Sequence, residues 1–162
     1  MNANSTIQSL RGEIAQSLSV LKRLEEYFIN FQQTRLVSAK TTDEAMITDQ
    51  SLTNYYTCLE TLFLRISQFF ENGLESEHWH QSLLGKMVLE IPECRPRVLS
   101  DKTHQALFEL LKFRHFTRYY FELNYDWDKL HFLIKKFNEV HLVVRKEIED
   151  FDAWLIELLK TT

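Results

Sequence analysis

The stretch that decides the fold runs from Asp126 to Leu159, DWDKLHFLIKKFNEVHLVVRKEIEDFDAWLIELL. Asp126 is a short carboxylate able to accept hydrogen bonds from the first-turn N–H groups of a helix, so it reads as an N-cap. Asp128 sits where a negative charge suits the helix dipole. Behind them Leu130, Leu133, Ile134, Phe137, Val140, Val144, Ile148, Phe151, Leu155 and Leu158 recur at helical spacing. Neither Gly nor Pro interrupts the run, which predicts one helix over about nine turns with a single apolar face.

The same period appears at the other end of the chain. Ile7, Leu10, Ile14, Leu18, Leu21, Leu24, Phe28 and Phe31 predict a first helix that starts near Asn4 or Ser5 and fades after Val37. A polar connector, Ser38 to Asp43, separates it from a second helix that starts at Asp43 or Asp49 and ends at Asn72-Gly73. That helix carries Leu52, Tyr55, Tyr56, Leu59, Leu62, Phe63, Ile66, Phe69 and Phe70. A shorter helix is predicted over 77–89, with Trp79, Leu83, Leu84, Met87 and Val88. Both prolines fall in Ile91–Arg97, which must therefore be a loop. Ser100-Asp101 then caps a helix predicted over 102–123, with Leu107, Leu110, Leu111, Phe113 and Phe116 inward. No strand pattern competes. Four long helices and one short one, joined by modest connectors, predict an all-α, antiparallel up-and-down bundle.

Composition agrees. Only three glycines and two prolines occur in 162 residues, so few positions are available to break regular structure. The length suits a single domain over 1–162. Twelve Phe, six Tyr and three Trp point to a core of large rings that extends into an oligomer interface. Cys58 and Cys94 have neither metal-ligand spacing nor a disulfide framework, which favours a reducing compartment. No apolar run approaches the roughly 20 residues of a membrane span. The first residues, MNANSTIQSLRGE, lack the basic start and apolar stretch of a signal peptide. A cytoplasmic protein without membrane contact is expected.

The net charge of −4 gives no global reason to expect nucleic acid, but its distribution is uneven. Arg95 to Arg118 holds six Lys/Arg against two Asp/Glu, a local balance of +4. Such a segment is either a phosphate-binding face or charge spread around a solvated helix.

The order of short blocks says more. It reads Trp79-His80, Leu83-Leu84 and Met87; then Arg95-Pro96, Val98-Leu99-Ser100; then Phe113-Arg114-His115, Arg118-Tyr119-Tyr120-Phe121; then Asp126 and Leu130. These blocks, in this order over about fifty residues, resemble the HepT-like ribonuclease toxins of the HEPN superfamily. The resemblance implies a HEPN-like bundle, a homodimer, a nucleotidyltransferase antitoxin of the MntA type, and an RNA substrate such as transfer RNA. It implies no cofactor and no metal, the reaction being metal-independent phosphodiester cleavage. HEPN ribonucleases use an Arg and a His five residues later on one helix, brought together across the dimer. The Lys102–Leu123 helix is thus expected at the dimer seam, lining a positively charged cleft.

This chain departs from that pattern twice. Arg114 is present, but the His position is Tyr119, and the Tyr that related antitoxins adenylylate is Phe121. Tyrosine, with a pKa near 10, is a poor base at neutral pH. Three readings stay open: a ribonuclease in which His115 replaces the missing base; a degenerate homodimer that binds RNA or antitoxin without cleavage; and a structural role in which Arg114 and Arg118 only form salt bridges. In the first, Arg114 stabilises charge on the phosphate and Arg118 holds it. Tyr119, Tyr120 or Tyr125 would take a nucleotide in place of position 121.

Other signals are weaker. His78 and His80 are two residues apart and read as surface or interface histidines, since that spacing does not favour shared metal ligation on a helix. His104 and His115 lie too far apart to share a metal. The run Glu147 to Asp152 reads as a solvated acidic face or as a docking surface for a basic partner. No GxxxxGK pattern is present, so nucleotide hydrolysis is not expected.

Overall fold

In the computed structural model, residues 3–71, 79–117 and 123–161 are described, except for the side chains of Ala3, Trp79, His115, Phe116 and Thr117. Five α-helices follow one another: α1 (Ala3–Phe31), α2 (Thr42–Phe70), α3 (Trp79–Lys86), α4 (Asp101–Thr117) and α5 (Trp127–Thr161). No named strand occurs among the described residues, so the all-α HEPN-like bundle is the architecture found. α1 packs on α2 and α5, α4 on α2 and α5, and α3 lies against α2 and α4.

The apolar stripes meet as their spacing requires. Ile7, Leu10, Ile14, Leu21, Phe28 and Phe31 of α1 are buried with Leu52, Leu59, Leu62 and Ile66 of α2. From α5, Leu130, Leu133, Phe137, Val140, Val144, Ile148, Phe151 and Leu155 enter the same core. Aromatic rings lock the three helices together. Phe137 meets Phe28 edge-on at 5.0 Å and Tyr55 edge-on at 4.9 Å.

Helix ends follow local chemistry. The backbone N–H groups of Asp128 and Lys129 donate to the Asp126 carboxylate at 2.9 and 3.3 Å, the cap expected for α5. Thr103 N–H donates to Ser100 Oγ at 3.3 Å, which starts α4. The short helix ends earlier than its pattern predicts. Met87, Val88 and Leu89 donate to the carbonyls three residues back, a tightening that closes the helix after Lys86. The fourth helix does not reach Leu123, whose φ of 55° is left-handed; its end after Thr117 and the Asn72-Gly73 stop lie outside the described residues. α2 itself ends at Phe70, with Glu71 extended. After α1 the chain makes one π-helical turn, Gln32–Leu36, before the polar connector.

The proline loop is held by Arg95, whose side chain is fully shielded from solvent. Its guanidinium donates to the carbonyls of Lys86 at 3.0 Å, Leu89 at 3.0 Å and Pro96 at 3.2 Å. Its Nε also donates to Glu71 Oε1 at 3.1 Å. One buried cation thus satisfies the C-terminal end of α3 and ties it to the end of α2. Burial alone would raise the Glu71 carboxyl, but Arg95 and Lys86 hold it below the usual range.

Candidate functional site

Glu60 sits four residues after Tyr56 and three before Phe63, both buried, so α2 carries a carboxylate on its core face. A charge in that position needs a partner. The partner is Arg114, 54 residues further along on α4. Arg114 Nη1 donates to Glu60 Oε1 at 2.7 Å and Nη2 to Oε2 at 2.9 Å, the bidentate fork that suits guanidinium and carboxylate. The guanidinium also lies 5.2 Å from the ring centroid of Tyr56. Burial, and then the charge of Glu60, raise the Tyr56 phenol.

α3 adds an imidazole to this pair. His80 Nδ1 lies 2.7 Å from Glu60 Oε2 and 3.0 Å from Arg114 Nη2. Nδ1 thus faces a carboxylate acceptor and a guanidinium donor at once, two contacts that call for opposite tautomers. The His80 side chain is 21% exposed, whereas Arg114 is 10% exposed. His80 is therefore the solvent-accessible edge of a three-residue cluster where α2, α3 and α4 meet. His78, with which the sequence groups it as a surface or interface histidine, lies outside the described residues.

Of the motif residues Arg114, His115, Arg118, Tyr119, Tyr120 and Phe121, Arg114 alone is described in full. The side chain of His115 and all of Arg118, Tyr119, Tyr120 and Phe121 lie outside the described residues. Tyr125 donates to Asp49 Oδ2 at 3.4 Å and is half-buried. The basic segment does not form one open cationic face among the described residues. Arg95 and Arg114 are turned inward onto carboxylates, Lys112 pairs with Glu109 at 2.8 Å, and Arg97 lies 3.9 Å from Asp101. In the acidic run, Glu149 and Asp150 face solvent, but Asp152 accepts two bonds from Arg11 and ties α5 to α1.

A second buried polar group escaped the periodicity reading. Glu25 of α1 is 2% exposed, while its neighbour Leu24, counted on the apolar face, is only half-buried. Glu25 falls four after Leu21 and three before Phe28, so its place on the core face was legible in the spacing. Arg145 Nε lies 2.9 Å and His141 Nδ1 3.4 Å from Glu25 Oε2. Neither is aligned as a hydrogen bond, and Glu25 Oε1 and the Tyr55 hydroxyl have no hydrogen-bond partner among the described residues. Burial pushes the Glu25 carboxyl up to about 7 despite Arg145. Burial, then the charge of Arg145, lower the His141 imidazole.

A groove of about 600 Å³ runs between α4 and α5, lined by Ala106, Phe132, Val140 and Val143 with Lys102 and Glu139 beside them. Arg114, Glu60 and His80 do not line it. No helix of the described residues is long and apolar enough to cross a membrane.

Comparison with known proteins adds one match. A family model described as HepT-like protein matches residues 47–155, which takes in most of α2 and α5 and all of α3 and α4. No curated protein and no solved structure matches the chain.

Proposed function

The chain belongs to the HepT-like family, and we propose that it is the RNA-directed toxin component of a toxin–antitoxin pair, cleaving RNA phosphodiesters without a metal. The observation that supports this reading is the Arg114–Glu60–His80 cluster, which sets a guanidinium and an imidazole side by side. Such a pair suits phosphodiester chemistry. The imidazole exchanges a proton with a ribose hydroxyl, and the guanidinium meets charge growing on phosphate.

In this reading the protein is a homodimer with the α4 helices near the seam, Arg118 adds a phosphate contact, and the partner is a MntA-like nucleotidyltransferase. The substrate class is RNA, with transfer RNA the first to try. His115 is the substitute base that the sequence offers, and Tyr119 stands at the position of the family's His. Tyr119 and Tyr120 are the hydroxyls nearest the position that related antitoxins modify.

One observation favours a second reading, a catalytically degenerate homodimer that binds RNA or its antitoxin. Both Nη atoms of Arg114 are already held by a buried carboxylate, and the motif His is a Tyr. Induced expression in a bacterial host separates the two. The toxin reading expects growth arrest that Arg114→Lys relieves and that the nucleotidyltransferase encoded beside the gene suppresses. Normal growth with abundant folded protein, and RNA or the nucleotidyltransferase still bound by it, would favour the binding module.

A further inference from the structure

We infer that the groove between α4 and α5 seats a second copy of this chain, about a twofold axis that crosses α5 near Phe137 and α4 near Ala106. The inference deepens the homodimer reading above by naming its surface, and it holds whether or not RNA is cut.

Six side chains of the groove carry the argument: Lys102 and Glu109 of α4, and Phe132, Lys136, Glu139 and Val143 of α5. On each helix they step by three, four or seven and so share one face. Phe132 and Val143 are 44% and 46% exposed, two open apolar side chains on the wall of one groove. Two lysines stand against two glutamates, so these six residues carry no net charge. That balance does not suit a phosphate backbone.

The order of these residues names the occupant. A twofold dimer brings one patch against itself, so the patch must be self-complementary. Let α5 lie antiparallel on its own copy, centred between Phe137 and Asn138. Phe132 then stands opposite the partner's Val143, and Lys136 opposite the partner's Glu139. On α4, centred between Gln105 and Ala106, Lys102 stands opposite the partner's Glu109. Apolar meets apolar, each lysine meets a glutamate, and every contact occurs twice. A parallel arrangement would set Lys136 on Lys136 and Glu139 on Glu139, which charge repulsion disfavours.

The two centres, found separately on each helix, also fall at one height. α4 and α5 run antiparallel, with Lys129 Nζ 6.0 Å from the centroid of the Phe113 ring. The α4 centre lies about 11 Å of helix from Phe113, and the α5 centre about 13 Å from Lys129. A single axis lying in the interface therefore crosses both. The charges are free to change partner. Within one copy Lys136 lies 3.5 Å from Glu139 and Lys112 2.8 Å from Glu109, surface pairs of the kind that contribute little in water. Arg114 stands about 13 Å along α4 from the axis. The two copies thus keep separate Arg114 clusters in place of the shared cleft that the resemblance implies.

The test is the solution mass of purified protein, by sedimentation and light scattering, for wild type and two charge-reversed variants. The acidic variant carries Lys102→Glu and Lys136→Glu, and the basic variant carries Glu109→Lys and Glu139→Lys. None of the four side chains is buried, so both variants should fold as wild type does. The expected result is a wild-type dimer, a dissociation constant raised about 10²-fold in each variant alone, and a one-to-one heterodimer when the variants are mixed. Charges that act only within one copy cannot be rescued by another copy. Folded variants that dimerise within about threefold of wild type would overturn the assignment and leave the homodimer to another face. So would monomeric variants that stay apart when mixed, since that contradicts the antiparallel register. A monomeric wild type would overturn the homodimer reading, and this inference with it. Loss of nucleotidyltransferase or transfer RNA binding in Phe132→Asp would then hand the groove to that partner.

Discussion

Glu60 on α2 binds both Nη atoms of Arg114 on α4, at 2.7 and 2.9 Å, in a site from which water is nearly excluded. The arginine that the family pattern marks for phosphate is thus also a strut between two helices.

The pairing has a direct energetic consequence. Removing one member leaves a buried charge unpaired, which costs roughly 3–5 kcal/mol, whereas replacing both by apolar side chains is often close to neutral. Glu60→Leu alone should therefore lower urea stability by several kcal/mol, and Glu60→Leu with Arg114→Leu should recover most of it. If the single and double variants melt alike, the pair contributes no coupling and Arg114 has another anchor.

Arg95 predicts a comparable effect from a smaller change. Its side chain is fully buried and bonds to three carbonyls and Glu71, a set matched to the fork of a guanidinium. Arg95→Lys keeps the charge but cannot reach all four groups. We expect a loss on the order of 2–4 kcal/mol, with amide exchange accelerated first in residues 86–99. A Lys variant as stable as wild type would show that the proline loop is held by Pro96 and its packing instead.

Glu25 makes stability depend on pH. Its carboxyl is raised to about 7 in the fold, above the ordinary glutamate value of about 4.5, so the folded state holds the proton more tightly than the unfolded chain. The contribution is fully present below about pH 4.5 and is lost as pH rises through about 7. His141, lowered by burial and by Arg145, works in the opposite direction: its contribution is lost as pH falls below the ordinary imidazole range. Glu26 and Tyr55 also belong to this environment. Glu25→Gln should therefore gain stability relative to wild type between pH 5 and 8, on the order of 2–3 kcal/mol. Paired urea melts at the two pH values measure it. A constant difference between the proteins would mean that Arg145 keeps Glu25 ionised throughout.

These cases show where sequence reading succeeds and where it stops. The helices were legible because Leu130 to Leu155 and Ile7 to Phe31 repeat at the helical period, and period alone decides which face is buried. The caps at Ser100 and Asp126 were legible because capping chemistry is local. The early end of α3 was not, because Met87 and Val88 continue the apolar pattern while the Met87 carbonyl turns away to accept from the N–H groups of Val98 and Leu99. The cluster at Arg114 was half legible. The motif blocks marked Arg114, and the carboxylate at a core position of α2 was visible. Nothing in one sequence pairs two residues 54 positions apart, or brings His80 from a third helix to join them. That is tertiary information.

The most direct test of the functional account is cleavage of total transfer RNA by purified, folded protein in EDTA, with Arg114→Lys alongside. The account predicts that wild type cuts RNA, leaving 2′,3′-cyclic phosphate and 5′-hydroxyl ends, and that the Lys variant loses about 10²–10³-fold in rate. Intact RNA after long incubation with folded wild type would contradict it.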